Sequence, residues 1–140
     1  MDIQEQALEK TRQAISAIDP ALLDRTHIVN RNHRSFPEML AQNSVSLVVY
    51  NLGYLPGSDK SIVTNKENTI ISIRAALSLL KPRGLLSVLC YRMHCDDAML
   101  EASAVEDELR TLPPERWRTF SHTPLNWPRA PLLVTAYRLK

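Results

Sequence analysis

The sequence predicts an α/β fold, a sheet with helices on its faces that finishes in a β-hairpin. Two observations carry this. Short valine- and leucine-rich runs, Val45 to Asn51 and Leu85 to Tyr91, alternate with stretches whose apolar residues recur at helical spacing. The last two strand-like runs, Trp117 to Ser121 and Leu132 to Tyr137, have no helix-length segment between them, so they are expected to pair as an antiparallel hairpin at a sheet edge.

The elements follow in order. Ile3, Ala7, Leu8, Thr11, Ala14, Ile15 and Ile18 recur as one helical stripe, with Asp2 placed as its N-cap and Asp19-Pro20 as its end. His27 to Asn30 reads as a short strand, and Val45 to Asn51 as a buried one. Gly53, Pro56 and Gly57 mark a loop over residues 52–60. Thr64 and Glu67 stand at capping-box spacing, ahead of a helix with Ile70, Ile73, Leu77 and Leu80 on its inner face. Pro82-Arg83-Gly84 is expected to stop that helix before the second buried strand. Asp96 or Asp97 would cap a third helix burying Met99, Ala102, Val105 and Leu109, and Pro113-Pro114 would break it.

Length and composition bound the function. A chain of 140 residues, 44% hydrophobic, suits one domain with one core, taken here as residues 1–140. With 17 basic and 15 acidic residues, the net charge of +2 gives no strong footprint for a polyanion. The apolar runs are too short to span a bilayer, and the polar opening residues are unlike a targeting peptide. Cys90 and Cys95 make neither a disulfide framework nor a metal-binding pattern, and they point to a reducing compartment.

Three stretches carry a family resemblance. Asn51-Leu52-Gly53-Tyr54-Leu55-Pro56-Gly57-Ser58-Asp59-Lys60-Ser61-Ile62-Val63-Thr64 resembles the signature of the rRNA methylase family almost unbroken, with Ser58 in place of a glycine. Leu80-Lys81-Pro82-Arg83-Gly84 is similar to the turn before the fifth strand of class I methyltransferases. Asp2 to Leu8 looks like the family's segment after its second strand, and Leu125 to Lys140 resembles the end of plant and algal members. The resemblance implies a Rossmann-like class I methyltransferase fold, a mostly parallel sheet ending in an antiparallel hairpin. It implies S-adenosylmethionine as cofactor and methylation of 5-aminomethyluridine at the tRNA wobble position. The family's glycine-rich cofactor turn has no counterpart among Gly53, Gly57 and Gly84, so the fold is expected to be N-terminally incomplete. That leaves three explanations: a partial gene sequence, a missing half supplied by another chain, or lost catalysis.

The resemblance assigns roles to individual residues. Asp2 would accept hydrogen bonds from the cofactor's ribose hydroxyls or merely cap a helix, with Gln4 beside it; His33 would lie near the adenine or sit in a surface loop. Asn51 would hold the substrate amine beside the cofactor, and Tyr54 would stack on the target base, unless the pair form only an Asx-turn with a packed tyrosine. Gly53, Asp59 and Lys60 would shape the substrate loop, Asp59 and Lys60 being otherwise a solvated ion pair. Tyr91 and His94 follow the next strand, where the family shows further glycines and a proline that this chain lacks. His94 would accept the amine's proton, and Arg92 is read as a contact to RNA phosphate. Cys90, inside a strand, is expected to be inert, and the arginines near the end to form a weak RNA face or to solubilise the sheet edge.

The implied partner is tRNA, through its anticodon region, with no membrane, no metal and a possible homodimer. The implied compartment is the cytoplasm, or a plastid or other organelle. The alternatives from other classes are a truncated or inactive RNA-binding partner subunit and a small-molecule amine methyltransferase.

Overall fold

The computed structural model describes residues 1–52, 66–92, 96–127 and 129–140. The chain divides into two compact units, Met1–His33 and Arg34–Lys140.

The first unit holds helix α1, Glu5–Ile18, and a 3-10 helix, Pro20–Arg25. The predicted break at Asp19-Pro20 is present. Asp19 is extended, its Oδ1 accepts the Ala21 N–H at 2.9 Å, and Pro20 opens the 3-10 helix where its missing N–H costs nothing. Two expectations need correction. Gln4, not Asp2, occupies the N-cap of α1; Asp2 sits two residues earlier, and its Oδ1 accepts the Gln4 N–H at 2.9 Å. The strand expected at His27 to Asn30 is a single parallel bridge, Asp2 to Asn30. Its bonds run from Asp2 N to Val29 O (3.2 Å) and from Arg31 N to Asp2 O (3.0 Å). The chain turns into α1 directly after Asp2, which leaves no extended run for a longer ladder. No residue of α1 is buried, and Ile3 and Ile18, both in the predicted stripe, are exposed.

The second unit contains strand β1 (Val45–Leu52), α2 (Lys66–Leu79), β2 (Leu80–Cys90), α3 (Asp96–Arg110), β3 (Trp117–His122) and β4 (Leu132–Arg138). The sheet order is β1-β2-β4-β3. β1 and β2 are parallel, while β4 is antiparallel to both β2 and β3. The terminal hairpin is present, and because β4 lies directly beside β2, the β1–β2 pair is the parallel part of the described sheet.

One face of this sheet makes the core. Tyr50, Leu52, Leu86, Val88, Cys90, Leu132, Val134 and Ala136 alternate inward along their strands and meet α2 through Ile73, Ala76 and Leu77. α3 adds Ala102, Val105 and Leu109 to the same layer. Met99, assigned to the buried stripe of α3, is exposed instead, and Glu101 is the buried residue of that turn. A buried carboxylate needs a donor, and Thr69 Oγ1 on α2 supplies one at 2.6 Å to Glu101 Oε1. A second tie between the helices is exposed. Arg74 grips Glu108 through both carboxylate oxygens at 2.8 Å, and this pairing holds the Glu108 carboxyl below its usual range.

Pro82-Arg83-Gly84 does not separate helix from strand as predicted; it lies inside β2. The register of β2 on β1 jumps from Val45 opposite Leu80 to Leu47 opposite Leu85, so the intervening residues bulge out of the ladder. Arg83 takes the left-handed conformation, φ 66°. Gly84 passes so close to its neighbours that a Cβ would lie 2.8 Å from Lys81 O and 3.2 Å from Val45 O. This bulge lets an apolar strand begin immediately at the end of α2.

Candidate active site

The parallel pairing of β1 with β2 brings their carboxyl ends to one edge of the sheet, where open α/β sheets bind ligands. Because Leu132, at the start of β4, is opposite Cys90, the last residue of β2, the loop from β3 to β4 emerges at that edge too. Asn51 and Tyr91 are both there. Asn51 is next to last in β1, opposite Leu89, and its side chain is exposed; Tyr91 follows β2 and is 36% exposed.

The residues around them form a fixed frame. Tyr50, next to Asn51, is buried and its hydroxyl lies 2.6 Å from Ser72 Oγ on α2. Burial pushes the Tyr50 phenol up to about 12, against a smaller opposing effect of the Ser72 hydrogen bond. Cys90 is also buried, as expected of an inert thiol. Desolvation first, then the charges of Glu101 and Glu106, raise its pKa to about 12. Leu52, also buried, ends β1 beside Cys90.

Arg92 does something other than what its sequence position suggested. Its Nε donates to Ala130 O at 3.0 Å and its Nη2 to Thr123 Oγ1 at 2.7 Å, so the guanidinium clasps both ends of the β3–β4 loop against the end of β2. Sequence reasoning missed this role because no local pattern relates Arg92 to partners more than thirty residues away.

Asp2, Gln4 and His33 belong to the first unit, where the Asp2–Asn30 bridge draws the start of α1 toward the segment before His33. One Asp2 carboxylate oxygen is engaged by the Gln4 N–H, and the Gln4 side chain makes no capping bond. Gly53, Tyr54, Asp59, Lys60 and His94 lie outside the described residues, as does Thr64 of the expected capping box.

Residues 1–138 match the protein family described as Putative rRNA methylase. The chain belongs to that family. It is 35% identical over 140 residues to an Arabidopsis thaliana protein named tRNA (mnm(5)s(2)U34)-methyltransferase, chloroplastic, covering 99% of this chain and 51% of that one. The chain therefore spans about half the length of this curated relative. Two solved structures are similar to it across 99% of its length and 73% of theirs. One, from Clostridium thermocellum and titled an rRNA-methylase of putative assignment, has a TM-score of 0.89 at 27% identity. The other, a putative methyltransferase from Streptococcus mutans in complex with SAH, has a TM-score of 0.85 at 26% identity. The family's methyltransferase fold of Rossmann-like type is thus the fold of this chain, as the resemblance implied, and its α/β class is the one the alternation of elements predicted.

Proposed function

We propose that this chain is the substrate-side portion of an S-adenosylmethionine-dependent methyltransferase that modifies the exocyclic amine of 5-aminomethyluridine at the tRNA wobble position. One observation carries the reading: an exposed asparagine, Asn51, stands near the carboxyl end of a parallel strand, at the same sheet edge as Tyr91, in a chain of this family. The names of the Arabidopsis and Streptococcus mutans relatives support it, the first by its tRNA substrate and the second by its SAH complex.

The described residues fit such a cofactor in kind. Asp2 offers a carboxylate acceptor for a ribose diol, and Gln4 lies beside it at the mouth of α1. Asn51 offers an amide at a strand end. S-adenosylmethionine supplies a methyl group already activated on a sulfonium. The work left to the chain is alignment: Asn51 orients the neutral amine, while Tyr54, Tyr91 and the loop bearing Gly53, Asp59 and Lys60 receive the nucleoside. His94 takes the proton released from nitrogen, and His33 borders the adenine side. An anticodon base, unpaired and splayed from its neighbours, is accessible to such a site. We place the reaction in the cytoplasm or, as the name of the Arabidopsis relative suggests, in a plastid.

The test is Asn51→Ala in protein that methylates tRNA. Nucleoside mass spectrometry should show at least a hundredfold loss of methylated wobble uridine (an oxyanion-hole-sized effect, about 10²–10³), with calorimetric affinity for S-adenosylmethionine retained. Unchanged turnover would remove Asn51 from the site. A second reading, an RNA-binding partner without catalysis, rests on the acid-free stretch 116–140, which carries five basic residues. Absence of S-adenosylmethionine binding together with retained tRNA binding selects that reading.

A further inference from the structure

We propose that the β3–β4 hairpin, with its connecting loop, is the surface on which this chain holds single-stranded RNA next to the target nucleoside. The inference rests on the RNA reading above and adds the place and chemistry of contact. Its first support is charge. All 15 acidic residues precede residue 116, together with 12 of the 17 basic ones, so residues 1–115 carry a net −3. Residues 116–140 carry five basic residues, no Asp or Glu, and a net +5. Arg138 is buried and belongs to the framework, while Arg116, Arg118, Arg129 and Lys140 face solvent.

The second support is the set of apolar groups exposed on the same hairpin. Phe120 on β3 is 54% exposed, and its ring lies 6.2 Å from that of His122, inclined by 28°. On the loop, Leu125 is fully exposed and Trp127 is 49% exposed. Flat aromatic faces beside cations are what unpaired bases stack on, and every base offers such a face. A duplex, whose bases are already stacked, does not.

The third support is order and position. The Arg92 clasp on Thr123 and Ala130 fixes both ends of the loop, and Ala130 N donates to Trp127 O at 3.0 Å. An exposed apolar side chain on an anchored loop loses little entropy on binding. The loop leaves the sheet at the edge that holds Asn51 and Tyr91, so nucleotides flanking a base seated there would pass over Trp127.

Fluorescence anisotropy on the full chain, with a labelled tRNA anticodon stem–loop and a duplex RNA of equal length, tests this. The stem–loop should bind more tightly than the duplex. Trp127→Ala should weaken stem–loop binding on the order of tenfold, and Trp127→Phe should restore most of it. Arg129→Gln should lower the salt slope by about one, whereas Arg12→Gln on α1 should leave both affinity and slope unchanged. Thermal melts of each variant should match the parent, since these side chains are exposed. Equal binding of duplex and stem–loop, wild-type affinity in Trp127→Ala, or no RNA binding by the parent chain each overturns the proposal. A hairpin that captures protein but not RNA also overturns it. Calorimetry with S-adenosylmethionine on the same samples separates the two readings. Cofactor binding without any hairpin effect refutes this surface and leaves the methyltransferase reading standing; hairpin-dependent RNA binding without cofactor binding does the reverse.

Discussion

Replacing Arg138 with methionine should destabilise the second unit by about 2–3 kcal/mol, because one guanidinium joins four parts of it. Arg138 is 9% exposed. It donates to the Leu80 carbonyl at the start of β2, to Asn43 Oδ1 at 2.5 Å, and to Lys140 O at 2.9 Å, and it lies 5.9 Å from the centre of the Trp117 ring. These contacts are unequal. Asn43 and Lys140 are both exposed, so both partners can return to water at little cost. The Leu80 carbonyl belongs to a fully buried residue, and orphaning it costs roughly 1–3 kcal/mol. Loss of the cation over Trp117 adds about 0.5–1 kcal/mol, while the methionine stem keeps part of the packing. For a unit of this size the sum lowers Tm by roughly 10 °C. Urea unfolding followed by tryptophan fluorescence should show a lower midpoint at unchanged slope. A destabilisation under about 0.5 kcal/mol would refute the reasoning.

Other perturbations probe separate parts of the structure. The Tyr50 phenol is raised from 10.0 to about 12, so its contribution to stability is fully present below pH 10 and is lost as pH rises toward 12; Tyr50→Phe should flatten that alkaline limb in pH-dependent denaturation. Glu108 is depressed by Arg74, so its contribution is present at neutral pH and lost as pH falls through its lowered folded value. Arg74→Gln should therefore lower stability at neutral pH and flatten the acid limb of the same curve. Gly84→Ala places a methyl 2.8 Å from Lys81 O and should cost about 1–3 kcal/mol in thermal denaturation. Cys90 should resist iodoacetamide in the folded chain and react once it is unfolded, as read by peptide mass spectrometry.

What the sequence made legible follows from how local each signal is. β1, α2, α3 and the terminal hairpin were readable because each carries its own apolar period or run, and for these elements the predicted bounds lie within two residues of those observed. β2 was begun five residues late. Pro82, Arg83 and Gly84 are ordinary stop signals, and only the neighbouring strand turns them into a bulge within a strand. Met99 was preferred to Glu101 for the core because a polar–apolar pattern cannot see Thr69, thirty-two residues upstream, waiting to bond a carboxylate. The candidate site divides the same way. The placement of Asn51 and Tyr91 was legible because the apolar runs mark where β1 and β2 stop, while their roles came from the resemblance. The Arg92 clasp was not, since its meaning comes from Thr123 and Ala130.

Net charge is a coarse guide for a related reason. A total of +2 describes neither part of a chain whose first 115 residues carry −3 and whose last 25 carry +5. At physiological salt, exposed charges act over about 8 Å, so an approaching polyanion responds to the hairpin it meets and not to the sum. The topology then makes the partition matter. β4 pairs with β2 and carries β3 outward to the sheet edge, so the acid-free segment forms two adjacent strands instead of being dispersed among the acidic helices. Where β3 does meet α3, Glu106 is engaged by Ser121 at 2.7 Å, which holds that carboxylate at the junction of helix and hairpin. The same fold that lines up Asn51 and Tyr91 at the strand ends thus delivers a basic, aromatic-bearing loop to their edge, and chain order alone gave no sign of that neighbourhood.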